Sequence, residues 1–147
     1  MQKEFGLGFN VWLQPAWVWE ADRLISAKSN PWWVANSKAY EGDLLLTYYA
    51  LPRGCIGHTY RIVTKPQLRK RPSRSPTTMT RIKQICALHA PLHLSQLRGH
   101  RVLKSAGFVR ARMQGRPRGT AYWPDIYRQI IDTNPSLEAA LRPYEPG

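Results

Sequence analysis

Acidic residues are missing from the middle of this 147-residue chain. Between Leu44 and Pro124 there is none, yet 16 of the 22 lysines and arginines fall there; against 9 Asp and Glu in all, the formal net charge is +13. Hydrolysis by paired carboxylates needs two acids in one site, and the acids here lie towards the ends, with only Glu41 and Asp43 near a tryptophan-rich segment. A metal-dependent nuclease centre meets the same shortage, and the positive middle would repel its cation. Asp43 follows Gly42 at a turn, where an aspartate caps backbone N–H groups, so a structural role is expected for it.

Cysteine is also scarce. Cys55 and Cys86 make no disulfide framework, and buried free thiols are expected. Cys86, His89 and His93 have the spacing C-x2-H-x3-H, and Cys55 and His58 repeat its first part. Zinc needs about four converging ligands. Pro91 interrupts this group, and on a strand Cys86 and His89 point to opposite faces, so no metal is expected. Nor does any apolar run approach the roughly 20 residues that span a bilayer, and the first residues lack a signal peptide's apolar stretch and cleavage site. A cytoplasmic protein with no membrane partner is expected. Neither familiar glycine-rich phosphate loop occurs, so no nucleotide cofactor is expected, and the cofactor assignment is none.

What is present fits one domain of mixed α/β class. "FNVWL" (9–13) reads as a short strand ending at Gln14-Pro15, and the stretch from Val18 to Asn30-Pro31 as one short helix. "EGDLLLTYYA" and "GCIGHTYRIV" read as a hairpin, with Gly54 and Gly57 marking a bulge or a close neighbour. Residues 65–78, with five basic residues and three prolines, are expected to form a mobile loop. Next come a strand through Ile82, Cys86 and Leu88 that Pro91 ends, and a short helix turning Leu94, Leu97 and Val102 inward. "GFVRARMQG" alternates as a strand, and a helix through Ile126, Ile130 and Ile131 is followed by a second one capped by Asn134 with Pro135 at its first position. Strands interleaved with short helices and joined mostly as hairpins suggest a small curled barrel.

Aromatics cluster as sharply as acids are absent. Trp12, Trp17, Trp19, Trp32, Trp33, Tyr40, Tyr48 and Tyr49 fall within 38 residues, half of the 16 aromatic residues in about a quarter of the chain. Aromatic faces beside a basic surface are what single-stranded or flipped nucleotides need: rings to stack on, arginines for phosphate, amides or hydroxyls for the base edge. Adjacent residues in an extended chain face opposite ways, so one of Trp32 and Trp33 is expected in the core and the other towards a ligand.

In order, the chain offers Trp12 on a first strand, "PWW", "AYEGDLLLTYYALPRGCIGHTYRIV", "PLHLSQLRGH" and "GFVRARMQG". That succession resembles the EVE-type members of the PUA-like superfamily, related to the YTH readers, over roughly residues 9–131. One departure is Leu13-Gln14-Pro15-Ala16, where the family commonly has K-S-E-P. The resemblance implies a barrel of five to six strands flanked by short helices, with a pocket for one extruded, modified base. Modified cytosine in DNA comes first and modified RNA second, and a restriction or modification system is an implied partner. Carried over by position, Trp32 or Trp33 matches the cage tryptophan, Asn36 and Ser37 the polar loop beside it, and Gln14 to Trp17 the corner that reads the base edge. Tyr48 and Tyr49 match aromatics beneath the pocket, and Arg110 to Gly115 the strand and turn that meet the backbone.

The leading expectation is therefore a non-catalytic nucleic-acid reader. Its base site would draw on Gln14, Trp17, Trp19, Trp32, Trp33, Asn36, Ser37, Tyr48 and Tyr49. Its phosphate contacts would come from Arg69, Lys70, Arg71, Arg74, Arg110, Arg112, Gln114 and Arg116. Two rivals stand beside it: a nuclease using His58, His89 or His93 with Glu41, and an RNA-binding accessory domain without a base pocket.

Overall fold

The computed structural model describes residues 8–16, 32–49, 53–71, 74–111, 113 and 115–146. The expected helix at 18–30 lies outside these residues. Six strands form one curled sheet: β1 (Val11–Ala16), β2 (Trp32–Val34), β3 (Leu44–Tyr49), β4 (Cys55–Ile62), β5 (Gln67–Arg71) and β6 (Arg74–His93), in the order β1-β3-β4-β6-β2, with β5 also on β6. The chain is a mixed α/β protein, a small curled β-barrel with short helices. β1 pairs parallel with β3, and the other pairings are antiparallel.

β3 and β4 form the expected hairpin. Its register shifts between Thr47 and Tyr48 and between Ile56 and His58, and such bulges bend a sheet. Gly57 sits at one of them for a steric reason: a Cβ there would meet Cε2 of Tyr49 at 2.5 Å. The curl carries the two edges of the sheet together. Residues 116–119 close the seam: Leu13 N donates to the Pro117 carbonyl, Gly119 N to the Val11 carbonyl, and the Asn36 amide to the Arg116 carbonyl.

The two faces of the sheet differ. One packs Val11, Leu13, Leu44, Leu46, Tyr48, Ile56, Cys86, Leu88 and Leu92 against α1 (Leu94–Gly99), α2 (Gly107–Arg110), α3 (Trp123–Thr133) and α4 (Glu138–Leu141). Inside this core the Trp123 indole donates to the Tyr144 carbonyl at 2.7 Å. The inner face carries a smaller cluster of Trp12, Leu45, Tyr60, Ile62 and Ile82 and another of Ala16, Tyr49 and Cys55; Trp33 packs on both.

Three expected elements are corrected. Residues 67–71 and 74–78 are strand rather than mobile loop, because β6 is long enough to give them a ladder beyond the end of β4. Pro91 does not end β6, which continues to His93: no β4 residue pairs with residues 88–91, so the missing proline N–H forfeits no ladder bond. Residues 107–110 are helix, not strand; Phe108 and Val109 are both buried, Ala111 is exposed, and Met113 has φ 61°. The alternation of apolar residues there matched a strand by coincidence, and packing of Phe108 and Val109 decided otherwise. Val102, expected inward, is exposed at 36%. Asn134 does precede a short 3-10 turn that starts at Pro135, but its side chain serves β6: Oδ1 accepts from Ala90 N at 2.7 Å and Nδ2 donates to the Ala90 carbonyl at 3.1 Å. It thereby satisfies backbone groups in the stretch that β4 leaves unpaired.

Asp43 is fully buried and ties three segments together. Its Oδ1 accepts from Asn10 N at 3.0 Å, and its Oδ2 from the Trp12 indole at 2.9 Å and Tyr40 N at 2.8 Å. Gly42, with φ +91°, makes the turn that points the carboxylate inward. Asp43→Ala strands three buried donors. We expect a loss of about 4 kcal/mol, a fall in Tm of roughly 10 °C or more, read by thermal denaturation, with Asp43→Asn in between.

Candidate functional site

On the inner face, strand pairing builds three successive rows. Trp12, Leu45 and Tyr60 stand opposite one another in the first, Gln14, Thr47 and His58 in the second, and Ala16, Tyr49 and Cys55 in the third. The outer rows are apolar or aromatic, and the middle row is polar. Trp33 packs both on the cluster that contains the first row and on the third row.

Buried polar groups in proteins are nearly always hydrogen-bonded, so exceptions call for a reason. Among the described residues four such side-chain atoms have no partner: Asn10 Nδ2, Gln14 Oε1, Trp33 Nε1 and Tyr60 Oη. The last three belong to the inner face: Gln14 stands in the middle row, Tyr60 about 7 Å of strand from it, and Trp33 packs on both inner-face clusters. The Gln14 amide is oriented by its own neighbour, since Nε2 donates to the Pro15 carbonyl at 3.3 Å, and this leaves Oε1 as a bare acceptor. Beside it the Thr47 hydroxyl donates to Tyr49 Oη at 3.2 Å, and Tyr49 Oη hydrogen-bonds His58 Nδ1. With Tyr49 donating, His58 keeps its proton on Nε2. The His58 ring stacks on Tyr60 at 6.3 Å, and the Arg53 guanidinium stands 5.8 Å from the Tyr49 ring. The face therefore offers one acceptor, the indole donor, a phenol able to do either, and an imidazole, between aromatic walls.

Burial, and secondly the charge of Arg53, hold the His58 pKa below its ordinary 6.5. Burial, and then Tyr49, push the Tyr60 phenol far up, so it stays protonated. Burial likewise raises both thiols, each further affected in the opposite sense by a neighbour: Arg53 for Cys55 and the Thr59 hydroxyl for Cys86.

Trp32 and Trp33 part company as adjacent strand residues should. Trp33 turns inward. Trp32 lies on the other face, its ring 3.9 Å from the Arg69 guanidinium and 4.8 Å from that of Arg81. Both tryptophans are only half-buried. Of the expected base-site residues, Gln14, Trp33 and Tyr49 come together, and Trp17 and Trp19 lie outside the described residues. Tyr48 is corrected: it faces the helices, one residue out of phase with Tyr49. Asn36 is engaged in the seam, donating to the Arg116 carbonyl at 3.0 Å and accepting from Lys38 N. Ser37 is exposed, and its carbonyl accepts from Lys65 Nζ. Sequence reasoning missed Tyr60, Thr47 and Trp12, and it placed His58 only in a metal or nuclease role. The period-two spacing of His58 and Tyr60 on β4, and of Thr47 and Tyr49 on β3, with the Gly57 bulge was the available signal.

Of the expected phosphate contacts, Arg69, Lys70 and Arg110 are exposed, and Arg71 and Arg74 close the β5–β6 ladder. Arg112 and Gln114 lie outside the described residues. Arg116 is half-buried and donates to the Ala35 carbonyl at 3.4 Å. His89 and His93 are exposed on β6; Glu41 adjoins Gly42, which bonds Ile62, about 13 Å of strand from His58. Among the described residues no three His, Cys, Asp or Glu side chains gather to hold a metal ion. A cleft of about 530 Å³ opens at that far end, lined by Tyr40, Glu41, Gly42, Arg61 and Lys65. It contains none of the unpaired buried groups, and its Lys65 ammonium is occupied by the Ser37 and Ala39 carbonyls and the Tyr40 ring.

The chain matches no protein-family model and no curated protein. It is similar in fold to solved structures. The NMR structure of Rpa0253 from Rhodopseudomonas palustris has a TM-score of 0.64 at 14% identity, over 87% of this chain and 94% of that one. The crystal structure of Atu2648 from Agrobacterium tumefaciens gives 0.62 at 12%, over 82% and 92%. A hypothetical protein from Leishmania major gives 0.68 at 16%, over 84% and 96%. These likenesses define the class as a fold. Among the described residues no helix is long and apolar enough to cross a membrane.

The lowered His58 pKa has a sign. The unfolded chain binds the extra proton near pH 6.5 and the folded chain only below it, so this contribution to stability is complete above about pH 6.5 and is lost as pH falls. Denaturant melts at pH 5 and pH 7.5 should show a larger acid loss in the native protein than in His58→Gln. An equal loss in both would contradict the burial of a neutral imidazole.

Proposed function

We propose that this protein is a non-catalytic reader of the EVE type in the PUA-like superfamily, taking one extruded, modified base onto the inner face of its barrel. The observation that carries the reading is the set of unpaired buried groups, Gln14 Oε1, Trp33 Nε1 and Tyr60 Oη, between aromatic rings. A cytosine edge offers an exocyclic amine and two acceptors. Gln14 Oε1 suits the amine, and the Trp33, Tyr60 or His58 N–H and O–H groups suit the acceptors. The Trp33, Tyr49 and Tyr60 rings supply stacking surface, and Trp12 backs them. Phosphates fall to basic residues of the acid-free stretch 44–124, including the exposed Arg69, Lys70 and Arg110. Modified cytosine in DNA is the first substrate and modified RNA the second, both by the family resemblance.

Stacking is worth about 1–3 kcal/mol per base, and about 1.4 kcal/mol is tenfold in affinity. Fluorescence anisotropy with single-stranded 5-methylcytosine DNA should therefore show a loss of about tenfold to a hundredfold for Trp33→Ala, a smaller loss for Gln14→Ala, and retention of modified-base preference in Lys70→Ala with overall weaker binding. The same oligonucleotides, with RNA counterparts, are incubated with divalent metal and resolved on gels. Cleavage that disappears in His89→Ala would overturn the reading in favour of a nuclease.

A further inference from the structure

Two large apolar side chains stand exposed among the described residues, Leu68 at 70% and Val102 at 36%. A scattered surface leucine needs no explanation by itself. The position of Leu68 is what matters. Leu68 stands opposite Thr78 on β6, and Thr80, two residues on, stands opposite Trp33. Opposed residues share a face and alternate residues return to it, so Leu68 lies on the same face as Trp33. Arg69, one residue on, faces the other way, where its guanidinium covers Trp32.

Met79 pairs with both Gln67 and Val34, so β5 and β2 flank β6 on opposite edges. Leu68 is thus two strand spacings across and two residues along from Trp33, about 12 Å. That is about the width of one major groove, so a nucleotide can occupy the inner face while its former neighbours lie against β5. Arg69 and Lys70, both exposed, follow Leu68 directly.

Extruding a base leaves a gap in the stack, and proteins that kink or open duplexes fill such gaps with apolar wedges set among basic residues. Resting on the reading of the inner face as a base site, we propose that Leu68 is a wedge: it enters the duplex where the extruded base has left, while the exposed Lys70 meets a phosphate beside it. The full partner is accordingly a duplex, of which a single strand engages the base site alone.

The test compares an intact DNA duplex, the same duplex with one abasic site, and a single strand carrying 5-methylcytosine. An abasic site presents the gap ready made, so the native protein should prefer that duplex over the intact one. Leu68→Ala should lose about tenfold in affinity for it, Leu68→Met should keep most of it, and Leu68→Ala should bind the single strand as the native protein does. Trp33→Ala should retain the abasic preference, since no base enters. The wedge is overturned if the native protein shows no abasic preference, if Leu68→Ala matches it on every probe, as a protein-docking leucine would, or if Leu68→Ala weakens the single strand equally. Failure of the base site itself registers separately, as unchanged binding of the 5-methylcytosine strand by Trp33→Ala.

Discussion

Three donors from three separated stretches of chain meet on the carboxylate of Asp43: the Trp12 indole and the amides of Asn10 and Tyr40. β1 and β3 are parallel, so no tight turn can set their register. Asp43 sets it. It stands at the entrance to β3, holds Asn10 at the entrance to β1, and fixes the Trp12 ring against Leu45 and Tyr60. Charge-assisted hydrogen bonds of this kind are the strong ones, and removing the acceptor would leave buried donors unpaired. In a chain with 9 acids and 22 basic residues, this carboxylate is spent on architecture.

From that anchor the inner face follows. Once Val11 faces Leu44, pairing brings Gln14 opposite Thr47 and Ala16 opposite Tyr49. The bulge of the β3–β4 hairpin then bends the sheet, and Trp33, on the far edge, packs on both inner-face clusters. Gly57 removes the side chain that would push Tyr49 away from His58. The result is a polar row between two apolar clusters, on both of which packs an indole whose N–H has nothing to bond. Leaving such groups unpaired costs stability, and a ligand that supplies the missing partners recovers it. That difference is the physical basis of the proposed recognition.

Much of this was legible in the residues. The strand pattern of 44–49 and 55–62, the turn at Gly42-Asp43 and the close neighbour of Gly57 all depend on local chemistry, and local chemistry is written in sequence. So is the divergence of Trp32 and Trp33, although which one turns inward depends on the pairing of β2 with β6. The β5–β6 ladder was not legible, because its strands are polar and proline-bearing and gain their order from a partner strand. Residues 107–113 misled for the opposite reason: their alternation is real, but packing of Phe108 and Val109 against the helical core overrides it. Tyr60 escaped notice as a site residue because an isolated tyrosine on a buried strand reads as core until its hydroxyl is seen to lack a partner.

In the proposed recognition the Trp33 indole is the group that meets a base. Three indole N–H groups of the six tryptophans have defined states here: Trp12 bonded to Asp43, Trp123 bonded to the Tyr144 carbonyl, and Trp33 unpaired. Titrating 15N-labelled protein with a single-stranded 5-methylcytosine oligonucleotide and following the indole resonances separates them. A base held on the inner face should shift the Trp33 signal strongly and leave the Trp12 and Trp123 signals nearly still. A Trp33 signal that stays in place while the oligonucleotide binds would contradict that recognition.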